Sequence, residues 1–275
     1  MNPPFERVGI VGLGLIGGSI ALGLRRRWPG LHVVGVDRPE VSAEAHRLGA
    51  VSDTRAALEN LRDADLVVLA TPVPQILRCL EDARSANLGA ILTDVGSTKR
   101  HIVARARELG VRFVGGHPVA GSAQAGLRHA RPDLFDGREW LVVPGTGTSA
   151  DLDRIETMVR GLGAAPRRMD ADTHDRLMAY VSHLPQLLAS ALMTVAGEAV
   201  GASGLASAGP GFADMTRLAA SHADVWRGIL ATNADYIAQA LRALVARLPA
   251  DAPALANAGG IDALFTQANN WSLRS

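Results

Sequence analysis

The sequence predicts an α/β domain followed by an all-helical domain, and two patterns along the chain carry this prediction. Up to about Met169, short runs rich in β-branched residues alternate with stretches of helical spacing, which is typical of a parallel sheet with crossover helices. From Asp172 to Arg247 we find no convincing strand, only Ala- and Leu-rich stretches with helical periodicity. We therefore predict two domains, residues 1–169 and residues 170–275.

The predicted strands of the first domain are continuously apolar, as expected when helices cover both faces of a sheet. They lie at 7–11, 32–36, 66–70, 90–94, 111–114, 140–143 and, more weakly, 166–169. The helices predicted between them lie at 16–27, 42–48, 73–85, 99–109 and 151–162. The turns that follow parallel strands meet at one edge of the sheet, so polar residues in these turns are candidates for a common site.

The second domain contains a segment rich in Ala, Gly and Ser, 196–210, whose small side chains permit close helix packing. Breaks in the helical pattern are predicted at 201–211 and around 249–253. A helical domain of this size buries limited surface by itself. We therefore expect a homodimer formed through these helices.

Composition excludes several classes of protein. The 275 residues carry 28 basic and 27 acidic side chains, a net charge of +1, and 4% aromatic residues. No broad positive field or aromatic platform is available for nucleic acid or an anionic membrane surface. The single cysteine, Cys79, excludes a disulfide framework and a Cys-based zinc site, and we expect no metal.

Neither export nor membrane insertion is predicted. The first seven residues contain no apolar signal core before the first strand. The most apolar long stretch, 184–209, is interrupted by Pro185, Gln186 and Glu198, which makes it a poor membrane span. We expect a cytoplasmic protein.

Gly12, Gly14 and Gly17 form a Gly-x-Gly-x-x-Gly pattern between the first predicted strand and the first predicted helix. The first glycine permits a tight turn, the second lets the backbone approach a pyrophosphate, and the third allows close contact between helix and strand. The free amides near Leu15 and Ile16 would face the anion. The motif predicts that the first domain is a Rossmann-type dinucleotide-binding domain.

Asp37 follows the last glycine by about 20 residues, at the end of the second strand, where a carboxylate can accept hydrogen bonds from the adenosine ribose. A carboxylate repels a 2′-phosphate, so we expect NAD as the cofactor. Arg38 could bind that phosphate if Asp37 turned away, which leaves NADP as the alternative. Thr71 and Pro72 follow the strand 66–70 where the nicotinamide half should run, although strand termination by proline explains them equally well.

Two further turns of the first domain concentrate polar residues. The segment 94–99 reads Asp-Val-Gly-Ser-Thr-Lys and contains Lys99, the only lysine of the chain; its Ser97 could also simply cap the next helix. The segment 115–122 reads Gly-Gly-His-Pro-Val-Ala-Gly-Ser. A histidine after a strand, flanked by glycines and fixed by proline, suits an acid/base group better than a core position, which makes His117 a catalytic candidate.

The helical domain contributes two more segments. Residues 182–186 read Ser-His-Leu-Pro-Gln and contain His183. Residues 209–217 read Gly-Pro-Gly-Phe-Ala-Asp-Met-Thr-Arg and end at Arg217. Each is ordinary by itself, since an arginine usually lies on a solvated face and a histidine before proline is usually packed or capped.

Taken in order, these motifs resemble those of the prephenate/arogenate dehydrogenases of tyrosine biosynthesis. The resemblance runs from about Val8 to Trp226 and rests on five separated motifs, whereas the glycine pattern alone would not distinguish one dehydrogenase from another. It implies an oxidoreductase that oxidises the ring C4 hydroxyl of prephenate or arogenate by hydride transfer to a nicotinamide. The ring carboxylate then leaves as carbon dioxide and the ring becomes aromatic.

The resemblance also implies residue roles. His117 accepts the hydroxyl proton, and Ser97 holds the imidazole or the substrate hydroxyl in position. Arg217 matches a substrate-carboxylate arginine, and His183 matches a histidine of the substrate pocket. Ser122 is expected to line the same pocket, because it lies close to His117 in sequence.

Three positions depart from the family pattern. Many members carry Glu where this chain has Ala123, a basic residue where it has Ala213, and a second histidine where it has Gln186. Some arogenate-preferring members also lack the Glu, so the tract 122–124 favours arogenate over prephenate.

Other functions remain open at this point. A β-hydroxyacid or 6-phosphogluconate type dehydrogenase would need a lysine in the helical domain, and none follows Lys99. A dehydrogenase of 4-amino-4-deoxyprephenate and a non-catalytic NAD(P)-sensing protein are the remaining alternatives.

Overall fold

A computed structural model describes residues 2–120, 124–248, 253 and 258–272 of the chain. Its first domain is built on one eight-stranded sheet with the order β3-β2-β1-β4-β5-β6-β7-β8. The strands are β1 (Arg7–Val11), β2 (His32–Val36), β3 (Asp53–Thr54), β4 (Leu66–Leu69), β5 (Ile91–Asp94), β6 (Phe113–Pro118), β7 (Glu139–Pro144) and β8 (Ala165–Arg168). Every predicted strand is present, and the short β3 is the only strand of this sheet that the sequence did not predict.

Helices cover both faces of the sheet, as the continuously apolar strands predicted. They are α1 (Leu15–Arg27), α2 (Pro39–Arg47), α3 (Val73–Ser85), α4 (Arg100–Leu109) and α5 (Ser149–Gly161). Alternate strand residues enter two separate cores. Leu66 and Val68 pack with side chains of α1 and α5, whereas Val67 and Leu69 pack with those of α3 and α4. The sheet is therefore buried on both sides, and functional groups are left to its edges.

The predicted parallel sheet is wrong at β7, which pairs antiparallel with β6. A parallel connection needs a crossover helix, whereas the described part of the segment 119–138 contains only a short 3₁₀ turn, Leu127–His129. β6 is also longer than predicted and includes His117, whose partner on β7 is Leu141. His117 therefore lies within a strand, with its backbone fixed by sheet pairing, and not after the strand as expected.

The second domain is helical throughout its described residues. Its elements are α6 (Ala171–Met178), a π-helical turn (Ala179–His183), α7 (Leu184–Leu205), α8 (Pro210–Thr216), a 3₁₀ turn (Arg217–Ala220), α9 (Ala223–Thr232), α10 (Ala234–Val245) and α11 (Ala258–Ser272). The break predicted at 201–211 is present, because Gly201 has a φ of 64° within α7 and α8 begins anew at Pro210. Most of the break predicted around 249–253 lies outside the described residues. The boundary between residues 169 and 170 stays a prediction.

The two domains are joined at the start of α4. Helix α4 has no side-chain cap of its own, and the carboxylate of Asp175 on α6 accepts hydrogen bonds from the backbone N–H groups of Lys99, at 2.6 Å, and Arg100, at 3.0 Å. Beside it, the buried hydroxyls of Thr98 and Thr232 lie 2.8 Å apart. The helical domain thus supplies the anion that the N-terminus of α4 requires.

The helical domain exposes much apolar surface. Residues 171–205 form one helical stretch, long and apolar enough by length and composition to cross a membrane, and only 6% of its most apolar window is buried. The expectation that 184–209 is a poor span is not supported by this measure, which the core helix of a soluble protein and a signal sequence also satisfy. Large apolar side chains with more than half of their surface exposed include Val181, Val195, Val200, Met215, Val245, Phe265 and Trp271. Such a surface calls for a partner.

Candidate active site

The glycine loop between β1 and α1 has the shape of a phosphate cradle. Gly12 has a φ of +93°, a conformation that side chains rarely allow, and a Cβ on Gly17 would lie 1.8 Å from the carbonyl oxygen of Gly12. A Cβ on Gly14 would meet no atom within 4 Å and would project into open space. Helix α1 begins at Leu15 without a side-chain cap, so its first amides are available to an anion.

Two cavities meet at this loop. One of about 610 Å³ is lined by Asp37, Arg38, Thr71 and Pro72 among others. The second, of about 390 Å³, is lined by Leu15, Ile16, Ser97 and, from the helical domain, Val225 and Ile229. Gly14, Ala70, Thr71 and Pro72 line both cavities. The arrangement fits a dinucleotide whose adenosine half occupies the first cavity and whose pyrophosphate crosses the glycine loop into the second.

Asp37, the residue predicted to bind the adenosine ribose, is held in place by backbone hydrogen bonds. One carboxylate oxygen of Asp37 accepts a hydrogen bond from the backbone N–H of Leu13 at 2.6 Å, and the other accepts one from the N–H of Arg38 at 2.7 Å. The Arg38 side chain is 75% exposed and lies 3.5 Å from a carboxylate oxygen of Glu40. The one carboxylate of the described residues that lines this end of the cavity is thus fixed in place, while the guanidinium of Arg38 is turned toward Glu40 outside the lining; this favours a ribose hydroxyl over a 2′-phosphate.

The motif at 94–99 is organised around a buried ion pair. The ammonium group of Lys99 contacts the carboxylate of Asp94, and both side chains are fully buried. Asp94 also accepts hydrogen bonds from the backbone N–H groups of Gly96, at 2.9 Å, and Gly116, at 3.0 Å. Asp94 thus ties the turn that carries Ser97 to the strand that carries His117, which explains the lone lysine better than a surface role.

His117 ends a chain of hydrogen bonds that enters the helical domain. Its Nδ1 lies 2.9 Å from Nε2 of His174, and Nδ1 of His174 lies 2.8 Å from a carboxylate oxygen of Asp175. Burial holds the pKa of His117 well below its ordinary value, and the neighbouring His174 and Lys99 add to the effect. The imidazole of His117 is therefore uncharged at neutral pH, as a general base must be.

His183 is the second buried histidine of the site. The side-chain amide nitrogen of Asn233 lies 3.2 Å from Nδ1 of His183 and donates to the backbone carbonyl of Asp175 at 2.8 Å. An amide nitrogen only donates, so Nδ1 accepts and the proton of a neutral His183 sits on Nε2. That Nε2 is buried and has no hydrogen-bond partner of regular geometry within the described residues. Burial lowers the pKa of His183 to about 4.

The structure brings only some of the predicted residues together. Ser97 lines the second cavity, and within the described residues the ring of His117 is hydrogen-bonded to His174 and not to Ser97. Arg217 is the first residue of the 3₁₀ turn after α8; its side chain is exposed and makes no ion pair within the described residues. Ser122 and Ala123 lie outside the described residues. The roles of Ser97, Arg217, His183 and Ser122 stay predictions.

Gln186, which stands where the family motif has a second histidine, is buried and fully engaged. Its side-chain nitrogen donates to the carbonyl of Leu218 at 2.8 Å and to the hydroxyl of Ser190 at 3.2 Å. The hydroxyl of Ser221 donates to its side-chain oxygen at 3.1 Å. Gln186 therefore fastens α7 to the turn that begins with Arg217.

Sequence reasoning missed three polar residues of the site, namely His174, Asp175 and Asn233. All three are fully buried, although each lies in a helical stretch whose polar residues look solvated in sequence. The sequence signal that could have pointed to two of them is the adjacent His-Asp pair in the first helix of the second domain.

The fold and the site define a class: a dinucleotide-dependent dehydrogenase with a neutral histidine at the junction of a Rossmann-type domain and a helical domain. Two family models match the chain. Residues 20–166 match the nucleotide-binding domain of prephenate dehydrogenase, and residues 170–259 match its dimerization domain. The chain belongs to the prephenate dehydrogenase family.

Individual relatives agree. The chain is 34% identical over 247 residues to the prephenate dehydrogenase of Bacillus subtilis, covering 86% of this chain and 67% of that protein. It superposes with a TM-score of 0.88 on the prephenate dehydrogenase of A. aeolicus in complex with hydroxyphenyl propionate and NAD⁺, at 28% identity over 98% of this chain and 96% of that one. The arogenate dehydrogenase of Synechocystis gives a TM-score of 0.76 at 28% identity, over 97% and 93% of the two chains. The chain spans about two thirds of the length of the curated prephenate dehydrogenases that it matches.

Substitutions in the glycine loop separate cofactor binding from folding. We expect Gly14→Ala to keep the melting temperature, since its Cβ meets no atom, but to raise the Kd for NADH at least about 10-fold, because the methyl group enters the cradle. Gly17→Ala should lower the free energy of unfolding by about 1–3 kcal/mol, because its Cβ overlaps the backbone. Fluorescence titration and thermal melting measure both effects.

Gly30→Ala is the matched control, since its Cβ also meets no atom within 4 Å and it lines neither cavity. Unchanged NADH affinity in Gly14→Ala would place the dinucleotide elsewhere.

Proposed function

We propose that the chain is a prephenate or arogenate dehydrogenase that oxidises the substrate with loss of carbon dioxide. The observation that carries the proposal is the neutral, backbone-fixed His117 in a chain of this family. Bound NAD supplies the hydride acceptor. His117 takes the proton of the ring C4 hydroxyl, the hydride leaves C4, and the bond to the C1 carboxylate breaks, so that its electrons complete the aromatic ring.

The cofactor is NAD. Asp37 lines the adenosine end of the cavity, and the Rossmann-type cradle is complete at Gly12, Gly14 and Gly17. NADP would require Arg38 to replace Asp37 as the group that faces the ribose, and Asp37 is held by two backbone hydrogen bonds.

The substrate is held from the helical side of the site. Nε2 of His183 carries a proton next to the backbone of Ser97, and in this proposal it donates that proton to a substrate oxygen. The guanidinium of Arg217 suits a carboxylate, since its planar donors match two oxygens at once. Ser97 completes the hydroxyl end of the pocket, and Ser122 is assigned to the same pocket from its nearness to His117 in the sequence alone.

Arogenate is the preferred substrate in this proposal. Arogenate carries a zwitterionic alanyl group where prephenate has a pyruvyl ketone, so one charge in the pocket decides between them. Ala213, exposed on α8 four residues before Arg217, removes a positive charge that many members of the family have, and Ala123 removes a negative one.

The working form is a homodimer in the cytoplasm. The match to a dimerization domain covers residues 170–259, and most large exposed apolar side chains of the described residues lie in that domain. A second copy packed on α7 would cover the apolar side chains that this helix exposes.

The proposed reaction is tested by initial rates of cofactor reduction, crossing arogenate and prephenate against NAD and NADP. We expect the largest kcat/KM with arogenate and NAD. Comparable rates for both substrates would make the protein a broad cyclohexadienyl dehydrogenase, and no reduction in any combination, with cofactor still bound, would contradict the proposal.

Two substitutions separate proton transfer from binding. His117→Ala should lower kcat by about 10²- to 10⁴-fold, the usual contribution of a general base. Arg217→Ala should mainly raise KM, by about 10- to 100-fold, because a charge-assisted hydrogen bond is lost. Steady-state kinetics with both variants measure this split, and the reverse pattern would overturn both assignments.

The pH profile gives an independent check on His117. A base must be unprotonated, so kcat/KM should fall as the pH drops through the pKa of His117. Since that pKa is lowered well below 6.5, the acid limb should lie well below this value and should vanish in His117→Ala. An acid limb at or above 6.5 would assign it to another group.

The dimer is tested by light scattering at micromolar concentration. We expect a dimer for the wild type and a shift toward monomer for Val195→Glu, because Val195 is 64% exposed on α7 and a charge there would be buried between copies. Leu48→Glu is the matched control, since Leu48 is 45% exposed in the other domain. A stable wild-type monomer would contradict the proposal.

A further inference from the structure

The hydrogen-bond chain from Asp175 to His117 has a direction that the chemistry of its groups determines. Burial alone would raise the pKa of Asp175, but hydrogen bonds from His174 and from the backbone of Arg100 and Lys99 outweigh this, and the pKa lies below its ordinary value. An ionised carboxylate only accepts hydrogen bonds. The contact between Asp175 and Nδ1 of His174, at 2.8 Å, is therefore made by a proton on that nitrogen.

The direction passes on to His117. Burial lowers the pKa of His174, so its ring is neutral and carries one proton, which is the one on Nδ1. Its Nε2 therefore has a lone pair and accepts from Nδ1–H of His117 across 2.9 Å. A neutral His117 with its proton on Nδ1 has its own lone pair on Nε2.

We propose that His174 is a positioning residue that holds His117 in the Nδ1–H tautomer, so that Nε2 is the base that receives the substrate proton. The free side chain of histidine favours the opposite tautomer, with the proton on Nε2, in which that nitrogen cannot act as a base. Asp175 fixes His174, and His174 fixes His117. The catalytic part of this inference rests on the proposed function, whereas the tautomer does not.

Burial and additional hydrogen bonds fix the inner part of the relay. His174 and Asp175 are fully buried, and Asp175 is fixed by the backbone of α4 as well as by the side chain of Arg100 at 3.3 Å. The rings of His117 and His174 are 5.1 Å apart between centroids and tilted by 56°. After proton transfer, the same relay places the carboxylate of Asp175 two hydrogen bonds from the imidazolium, which stabilises the charge.

The tautomer is read directly by nitrogen NMR of histidine-labelled protein near neutral pH. In the wild type we expect His117, assigned by its loss in His117→Asn, to be protonated on Nδ1 and bare on Nε2. In His174→Leu, which removes the acceptor, the proton of His117 should move to Nε2 and kcat should fall by about 10²-fold or more. His174→Gln, whose side-chain oxygen can accept from Nδ1–H, should keep the wild-type tautomer and recover most of kcat.

His101→Leu is the control, since His101 is exposed on α4. A wild-type His117 protonated on Nε2 would overturn the proposal, and so would a folded His174→Leu with unchanged tautomer and kcat. If His174→Leu fails to fold, the tautomer of His117 in the wild type and in His174→Gln still tests the proposal. The NMR result needs no substrate, so a failure of the proposed reaction would leave the tautomer result standing, and the two failures are distinguishable.

Discussion

The carboxylate of Asp175 is the constraint on which the site depends. It is buried without solvent, and a buried anion is costly unless donors surround it. Here the donors are two backbone amides at the start of α4, the guanidinium of Arg100 and the ring of His174. The amides belong to one domain and Asp175 to the other, so the interaction that satisfies the anion also joins the domains. The side chain of Asp175 contacts His174 directly, and its backbone carbonyl accepts from Asn233, which also contacts His183. Asp175 therefore helps to hold both buried histidines.

A second buried carboxylate, Asp94, joins two segments of the first domain, as Asp175 joins the two domains. It binds the backbone on either side of the site and is neutralised by Lys99. Lys99, at the start of α4, contributes to both anions, through its ammonium group for Asp94 and through its backbone N–H for Asp175. A lysine that must reach one anion with its side chain while its amide serves another is difficult to replace with arginine, whose larger head group has no room here.

The parts predicted from sequence are those determined by local pattern. Continuous apolar runs revealed seven strands, and the glycine spacing with Asp37 revealed the cradle, because the turn geometry requires glycine at Gly12 and Gly17. The strand β7 was predicted, but its antiparallel orientation was not, because its sequence is as apolar as that of its parallel neighbours. Only the missing crossover helix before it indicates the orientation. The polar residues His174, Asp175 and Asn233 escaped because their burial arises from docking of α6 and α9 on α4. That docking joins residues 58 to 135 positions apart, a separation at which periodicity carries no information.

The layout separates the chemistry from the choice of substrate. In the proposed mechanism, proton transfer depends on the relay at the domain junction, where a change in Asp175 would disturb both the domain contact and the tautomer. The proposal places substrate recognition further along the helical domain, where Gln186 holds the turn of Arg217 through three hydrogen bonds that do not involve the relay. Replacing the family's second histidine with Gln186 alters that turn's support, and Ala213 alters the charge on α8, while His117 keeps its surroundings. In this proposal, a change in the part of the chain that selects the substrate therefore leaves the relay around His117 intact.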